Sequence, residues 1–459
     1  MSTIIVSCAC GERYHADADA HVGRRIKCRC GRTLEIRPRA GVRMSMLPRA
    51  SGTLWRRLRG LLRRAPPDEG VVRKVKVPRA RRAARTGRLA RVTTLADRVL
   101  PPLSWGYVGV VLVASAVLWA WADRWWPATV LLFMGRWVLL LPLAVLLPAA
   151  ALFDRRMLPP LLFAGVACMV VVMGYRLPWR RLFGGARPSG YGLRVVSFNA
   201  AGGRPLALDL EPVLAEWAAD VVAVQECGDE LTAAMSTLPG WHFHRSRMLC
   251  LLSRYPIERA EVMDRSALDV TERSGEGGAG DVVRYVIESP GGAVRVVNLH
   301  LETARKGFDA LAELDLQGMR DNLLLRDGES RLARRWADGS VRALAGAYEP
   351  PLVVAGDFNM PPESRIFRAH WGDLRDAFAQ AGSGFGFTRH NGWIRARIDH
   401  VLTDDRWHTA EAEVWRDLGS DHRPLVVELV LAGGHAREGR HESREELPVV
   451  PEPGQTEKD

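Results

Sequence analysis

Residues 103–122 read LSWGYVGVVLVASAVLWAWA, twenty positions without a charge. A helix of that length crosses ~30 Å of hydrocarbon with every backbone hydrogen bond made internally, so this stretch predicts a membrane span. Residues 157–175 repeat the signal with nineteen uncharged residues. Between them, 128–153 is as apolar but is broken by Arg136, Pro142 and Pro148. Trp125 to Met134 reads as interfacial, Arg136 as reaching toward the headgroups, and 137–153 as the second span. The polar, cysteine-bearing N-terminus predicts no cleavable signal peptide.

Three spans put the chain ends on opposite sides of the membrane. Arg82, Arg85, Arg88, Arg91, Arg98, Arg155 and Arg156 flank one side. Arg124, Arg176, Arg180, Arg181 and Arg187 flank the other. Positive charge favours a cytoplasmic N-terminus, which leaves the C-terminal half outside; a two-span count would reverse that.

The net charge of +12 divides unevenly. Residues 1–100 carry 25 basic and 7 acidic side chains, whereas 189–459 carry 31 and 43. One partner does not explain both halves. At 459 residues the chain is long enough for two or three folded units, and 47% hydrophobic composition excludes wholesale disorder.

Residues 1–36 hold two Cys-x-Cys-Gly units, Cys8 with Cys10 and Cys28 with Cys30. Four thiolates can close a tetrahedral site, and the pairs resemble a zinc ribbon with shortened spacing. The alternatives are a redox dithiol or unpaired cysteines, with His15 and His21 solvated. Such a module would offer a cytoplasmic partner a docking point. Residues 37–102 read as a basic linker. Within it Leu54, Trp55, Leu58, Leu61 and Leu62 share one helical face among arginines, which suits an anionic membrane surface. The run at Arg79, Arg81, Arg82 and Arg85 suits lipid headgroups or nucleic acid.

From residue 189 to 433 the texture changes to an α/β domain. Apolar runs recur at Leu193–Asn199, Val221–Glu226, Leu249–Ser253, Val282–Glu288, Val294–His300, Leu352–Asp357, Ile398–Thr403 and Pro424–Leu431. Helical periodicity falls at 208–218, 229–238 and 329–347. The tail 434–459, rich in Glu and Pro, reads as disordered.

Polar residues close those runs: Asn199, Glu226, His300, Asp357 with Asn359, Asp399, and Asp421-His422 ahead of the last. Singly, each is more often a cap or turn residue. Together they converge on one rim of a sheet, where α/β active sites form. Carboxylates with an amide oxygen suit Mg²⁺ or Mn²⁺, and hence metal-assisted phosphoester hydrolysis. Neither a Gly-x-Ser-x-Gly elbow nor a P-loop lysine is present in the sequence.

The motifs SFN (197–199), QE (225–226), LSRYPI (252–257), NLHLE (298–302), GDFN (356–359), RIDHVL (397–402) and SDHRPL (420–425) resemble, in order and separation, the endonuclease/exonuclease/phosphatase superfamily. The resemblance implies two packed mixed β-sheets flanked by helices, a four-layer sandwich. It also implies a divalent metal and attack of water on phosphorus. Carried over, Glu226 is the main metal ligand, with Asn199 and Asp421 nearby. Asp357 orients and deprotonates the water, and Asn359 bonds to the developing charge. His422, held by Asp399, contacts the phosphate or assists proton transfer. His300 stabilises phosphate or leaving oxygen, and Arg284 matches a phosphate-contacting arginine. Cys227 and His400 should face away from the site by strand alternation.

The family's fold does not choose the phosphoester. Without its tail the domain carries 27 basic and 36 acidic residues, which disfavours long nucleic acid. A three-span tether beside the active site points to membrane lipids as partners and to a lipid-linked or envelope phosphate ester as substrate. The layout also resembles membrane members of the superfamily linked to glycopeptide resistance. The alternatives are a membrane-tethered nuclease cutting DNA phosphodiesters and a non-enzymatic membrane sensor.

Overall fold

The computed structural model describes four short strands between residues 3 and 35, the backbone of a helix from Arg79, and residues 98–178, 189–202, 210–266, 268, 280–339, 349–391 and 394–432. Contacts divide the chain into two units, Met1–Val92 and Thr93–Asp459. In the first, β1 (Thr3–Ser7) pairs antiparallel with β2 (Arg13–Asp17), and β3 (Arg25–Lys27) with β4 (Thr33–Glu35). The expected zinc ligands Cys8, Cys10, Cys28 and Cys30 lie outside the described residues, as do the amphipathic segment at 54–64 and the tail.

A helix runs from Arg79 to Trp121, beginning inside the segment read as linker and continuing through Pro101 and Pro102. Three stretches of the second unit are long and apolar enough to cross a membrane: Arg98–Trp121, Arg136–Phe153 and Arg155–Val172. Their large side chains point outward, with Trp105, Val113, Trp119, Val145 and Leu152 all more than half exposed. In water such a surface is unfavourable; against lipid it is the stable arrangement.

Two of the stretch ends meet the α/β domain through polar contacts. Arg136, expected to reach headgroups, is instead buried. Its Nη1 donates to Val172 O at 2.5 Å and pairs with Glu363 Oε2 at 3.0 Å. A guanidinium with a carboxylate partner has no reason to seek the interface. Gly174 follows at φ +74, and a Cβ there would collide with the Glu363 carboxylate. Arg368 Nη2 donates to Trp119 O at 2.5 Å.

The domain itself is built on two six-stranded mixed sheets. One has the order β13 (Arg375–Asp376), β16 (Asp399–Thr403), β12 (Leu352–Asp357), β11 (Gly292–His300), β10 (Asp281–Ser289), β9 (Ile257–Val262). The other has the order β17 (Trp407–Val414), β18 (Leu425–Ala432), β5 (Gly190–Asn199), β6 (Val221–Gln225), β8 (Leu249–Ser253), β7 (His242–Ser246). A small hairpin, β14 (Arg389–Asn391) with β15 (Ile394–Ala396), stands apart.

Alternation along the strands sorts side chains into layers. Val195, Ala223, Leu251, Tyr285, Val296, Val353 and Val427 fill the space between the sheets. The opposite faces of β5, β6 and β8 pack with the helices Leu210–Trp217 and Asp229–Ser236. Those of β11 and β12 pack with Leu316–Asp338 and Arg365–Trp371. Strands β6, β8 and β12 are buried at every position, which is why they read as unbroken apolar runs. The long helix starts earlier than its periodicity suggested, because Asp315 caps it by accepting from Gly318 N at 2.9 Å.

Candidate functional site

Register brings the polar strand ends to one rim. In the parallel pairs, Asn199 sits opposite Gln225 and His300 opposite Asp357. Antiparallel β16 then sets Asp399 beside Asp357. Gly356 makes this approach possible: at φ +155, a Cβ would strike Leu299 O on the neighbouring strand. Beneath the rim, Gln225 Nε2 donates to Asn298 Oδ1 at 2.8 Å, tying one sheet to the other.

Asn199 Nδ2 donates at 3.0 Å both to Glu226 Oε1 and to Asp357 Oδ2. Its Oδ1 accepts from Ala201 N at 3.1 Å, so here Asn199 bridges two carboxylates as a donor. His300 Nε2 lies 3.8 Å from Glu226 Oε1 and 3.7 Å from Asp357 Oδ2. Glu226 and Asn359 adopt φ of 50° and 51°. For glutamate that conformation costs about 1–2 kcal/mol, a strain of the sort that accumulates at functional sites.

Deeper in, His422 Nδ1 is 2.8 Å from Asp399 Oδ2, and its Nε2 is 3.7 Å from Asp357 Oδ2. All three side chains are buried. Burial opposes charge on His422, yet the Asp399 and Asp357 carboxylates outweigh it and push its pKa up to about 9. Burial, reinforced by Asp399, raises Asp357. Burial also opposes ionisation of Asp399, but the His422 imidazolium and its hydrogen bond hold it below the usual carboxylate range. Asn359 is fixed by its own N–H to Asp357 Oδ1 at 2.8 Å and by Nδ2 to Leu301 O at 2.8 Å.

One expected residue is placed differently. Arg284 is withdrawn from the rim. Its Nε and Nη2 bind Glu261 Oε2, Nη1 donates to Trp336 O at 2.9 Å and Gly339 O at 2.5 Å, and its guanidinium lies over the Trp336 ring. All three guanidinium nitrogens donate inside the fold, which corrects the phosphate-binding reading. Asp421 stands at the rim, 4.0 Å from His422 Nε2, and pairs with Arg389 Nη2 at 2.9 Å.

Arg389 itself escaped the sequence reading. Its Nη1 approaches His422 Nε2 at 3.1 Å. That is hydrogen-bond distance, and with Nη2 on Asp421 the guanidinium joins the imidazole to the carboxylate at the rim. Thr388, next to it, is buried and accepts from Asp399 N at 3.1 Å, locking the aspartate that orients His422. The only signal was an arginine eight residues ahead of RIDHVL. His400 points away, with Nε2 2.9 Å from Met360 O. Cys227 also points away, bonded to Cys250.

Glu226 and Asp357 converge on one amide and one imidazole, an oxygen-rich set that a divalent cation would neutralise. The residues fit such an ion. Atoms of Asp357, Asp399 and His422 also lie within 4.8 Å of one another. Because His422 Nδ1 is already engaged by Asp399, that trio is better suited to handling protons.

Strand ends, buried Asp–His–Asp contacts and an oxygen-rich rim on a two-sheet sandwich define a phosphoesterase-type hydrolase. Residues 196–422 match the Endonuclease/Exonuclease/phosphatase family and form a domain of it. Solved structures similar to this chain include an endonuclease/exonuclease/phosphatase family protein from Bacteroides thetaiotaomicron, at 15% identity and TM-score 0.39, covering 55% of this chain and all of that one. Another, from Beutenbergia cavernae, has 19% identity and TM-score 0.37 over 53% of this chain and 72% of its own. A mannosyl-6-phosphatase from Bacteroides thetaiotaomicron has 16% identity and TM-score 0.39 over 52% of this chain and all of its own. No curated protein matches the chain.

Proposed function

We propose that this protein is a membrane-anchored, divalent-metal-dependent phosphoesterase acting on a lipid-linked or envelope phosphate ester outside the cytoplasm. The observation that carries the reading is the convergence of Asn199, Glu226, Asp357, Asp399 and His422 on one rim. Glu226, with Asn199 and Asp421 beside it, would hold Mg²⁺ or Mn²⁺. When bound, that ion supplies charge neutralisation at the phosphoryl oxygens.

The chain's own residues perform the rest. Asp357 Oδ2, raised by burial, accepts a proton from the attacking water. Asn359 keeps Asp357 oriented and turns its remaining amide hydrogen toward the phosphoryl group. His422, kept cationic by Asp399, faces the same group with Arg389 and stabilises charge there. His300, partly exposed at the mouth, is placed to donate to the leaving oxygen.

Two features support the setting. The outward apolar surface of the three stretches suits a bilayer. The Cys227–Cys250 bond suits an oxidising compartment, hence a domain outside the cytoplasm. The test is full-length protein in lipid nanodiscs with Mg²⁺ or Mn²⁺, offered a lipid pyrophosphate, a phospholipid and plasmid DNA. Metal-dependent release of phosphate from a lipid, lost in Glu226→Ala and Asp357→Asn, is the expected result. Efficient DNA nicking with no lipid turnover would replace this reading with that of a tethered nuclease.

A further inference from the structure

A cavity of about 680 Å³ opens where the membrane-type stretches meet the α/β domain. That lies within the roughly 300–1,000 Å³ of small-molecule sites. One wall is Arg136 and Trp137, at the start of the second stretch, and Met173, just past the end of the third. The facing wall is Phe385, Phe387 and Arg395 of the domain.

The two walls are joined at their base. Arg176, leaving the third stretch, exchanges backbone hydrogen bonds with Gly384 at 2.8 and 2.9 Å. Tyr175 packs edge-on against Phe385 at 5.0 Å, and Phe385 stacks on Phe387 at 5.1 Å. Two residues beyond Phe387, the same segment presents Arg389 to His422. At about 3.3 Å per extended residue, the aromatic wall ends within about 7 Å of the arginine's Cα.

We propose that this cavity receives the hydrocarbon chain of a membrane-resident phosphoester and thereby presents its phosphate to Arg389 and His422. Its polar charges are confined to arginines, one of them, Arg136, neutralised by Glu363, and its remaining walls are aromatic or aliphatic. An occupant arriving between Trp137 and Met173 comes from the bilayer, so a lipid tail fits and a soluble sugar or nucleotide does not. The inference rests on the phosphoesterase reading for the phosphate end alone; the tail site stands on the cavity.

The test has two arms. Full-length protein in phosphatidylglycerol nanodiscs is irradiated with palmitoyl phosphate bearing a diazirine at its chain terminus, and the labelled peptides are mapped. Separately, hydrolysis of bis(p-nitrophenyl) phosphate and of phosphodiesters with tails of rising length is measured in wild type, Phe385→Asp and Met173→Trp. The expected result is label on peptides containing Trp137, Met173 or Phe385. Wild type should gain at least tenfold in kcat/KM from short to long tails. The variants should lose that gain while keeping turnover of the soluble ester. Label in the cavity without turnover of any ester would overturn the phosphoesterase reading and leave the tail site standing. Long-tail preference with no label there, or retained in both variants, would overturn the tail site.

Discussion

Arg326 Nη1 lies 3.0 Å from Asp123 Oδ1, both side chains being buried, and its Nη2 donates to Asn359 O at 3.3 Å. Asp123 follows the first membrane-type stretch and also accepts from Ser364 Oγ. A single guanidinium therefore connects the end of that stretch to the backbone of Asn359 at the polar rim.

Removing one partner of such a pair leaves the other charge buried. Asp123→Ala should cost about 3–5 kcal/mol, and Asp123→Ala with Arg326→Met should recover most of it. Urea unfolding of the full chain in detergent, followed by tryptophan fluorescence, measures this. Equal stability of the single and double variants would contradict it.

Arg389 should matter to turnover more than to folding, since it touches His422 Nε2 and Asp421 at the rim. Arg389→Ala is expected to lower kcat about 10²-fold, with the midpoint of unfolding little changed. Asp357→Asn should lose about 10²–10⁴-fold. Steady-state assays with a chromogenic phosphodiester read both. An Arg389 variant with full activity would return that residue to a structural part.

Glu329 predicts a pH dependence. Burial, with the nearby Glu302 carboxylate adding to it, pushes its pKa from 4.5 up to about 8, against the hydrogen bond from Glu302 N. Well below 4.5 both folded and unfolded chains hold the proton, and stability is unaffected. Between there and about 8 only the unfolded chain releases it, so stability falls as pH rises. Thermal melts from pH 5 to 8 should show that fall in wild type and a flatter curve in Glu329→Gln.

The Cys227–Cys250 bond spans 23 residues and adjoins Glu226. Chain-entropy arguments give it about 3 kcal/mol. Cys227→Ser with Cys250→Ser should lower the melting temperature and turnover together, and thiol alkylation of native protein should label neither cysteine until reductant is added. Labelling without reductant would refute the bond.

What the sequence made legible was set by burial. β6, β8 and β12 are covered on both faces, and β5 over its second half, so their apolar runs and the polar residues closing them could be read directly. Strands β7, β9 and β17 carry exposed polar positions and were not among the apolar runs read from the sequence. Arg284 and Arg136 misled for one reason. Each finds its carboxylate elsewhere, Glu261 at 23 residues and Glu363 at 227, and linear spacing does not reveal such partners. Arg389 was missed because an arginine on a short hairpin has no periodic signature.

The polar contacts at Trp119 and Asp123, and at Arg136, bind the α/β domain to the end of the first stretch and the start of the second. In the membrane setting proposed above, the domain's pose follows that of the stretches. On that proposal, a thicker or thinner bilayer that tilts the helices would tilt the polar rim with them, making hydrophobic thickness itself a determinant of how the rim meets the membrane surface.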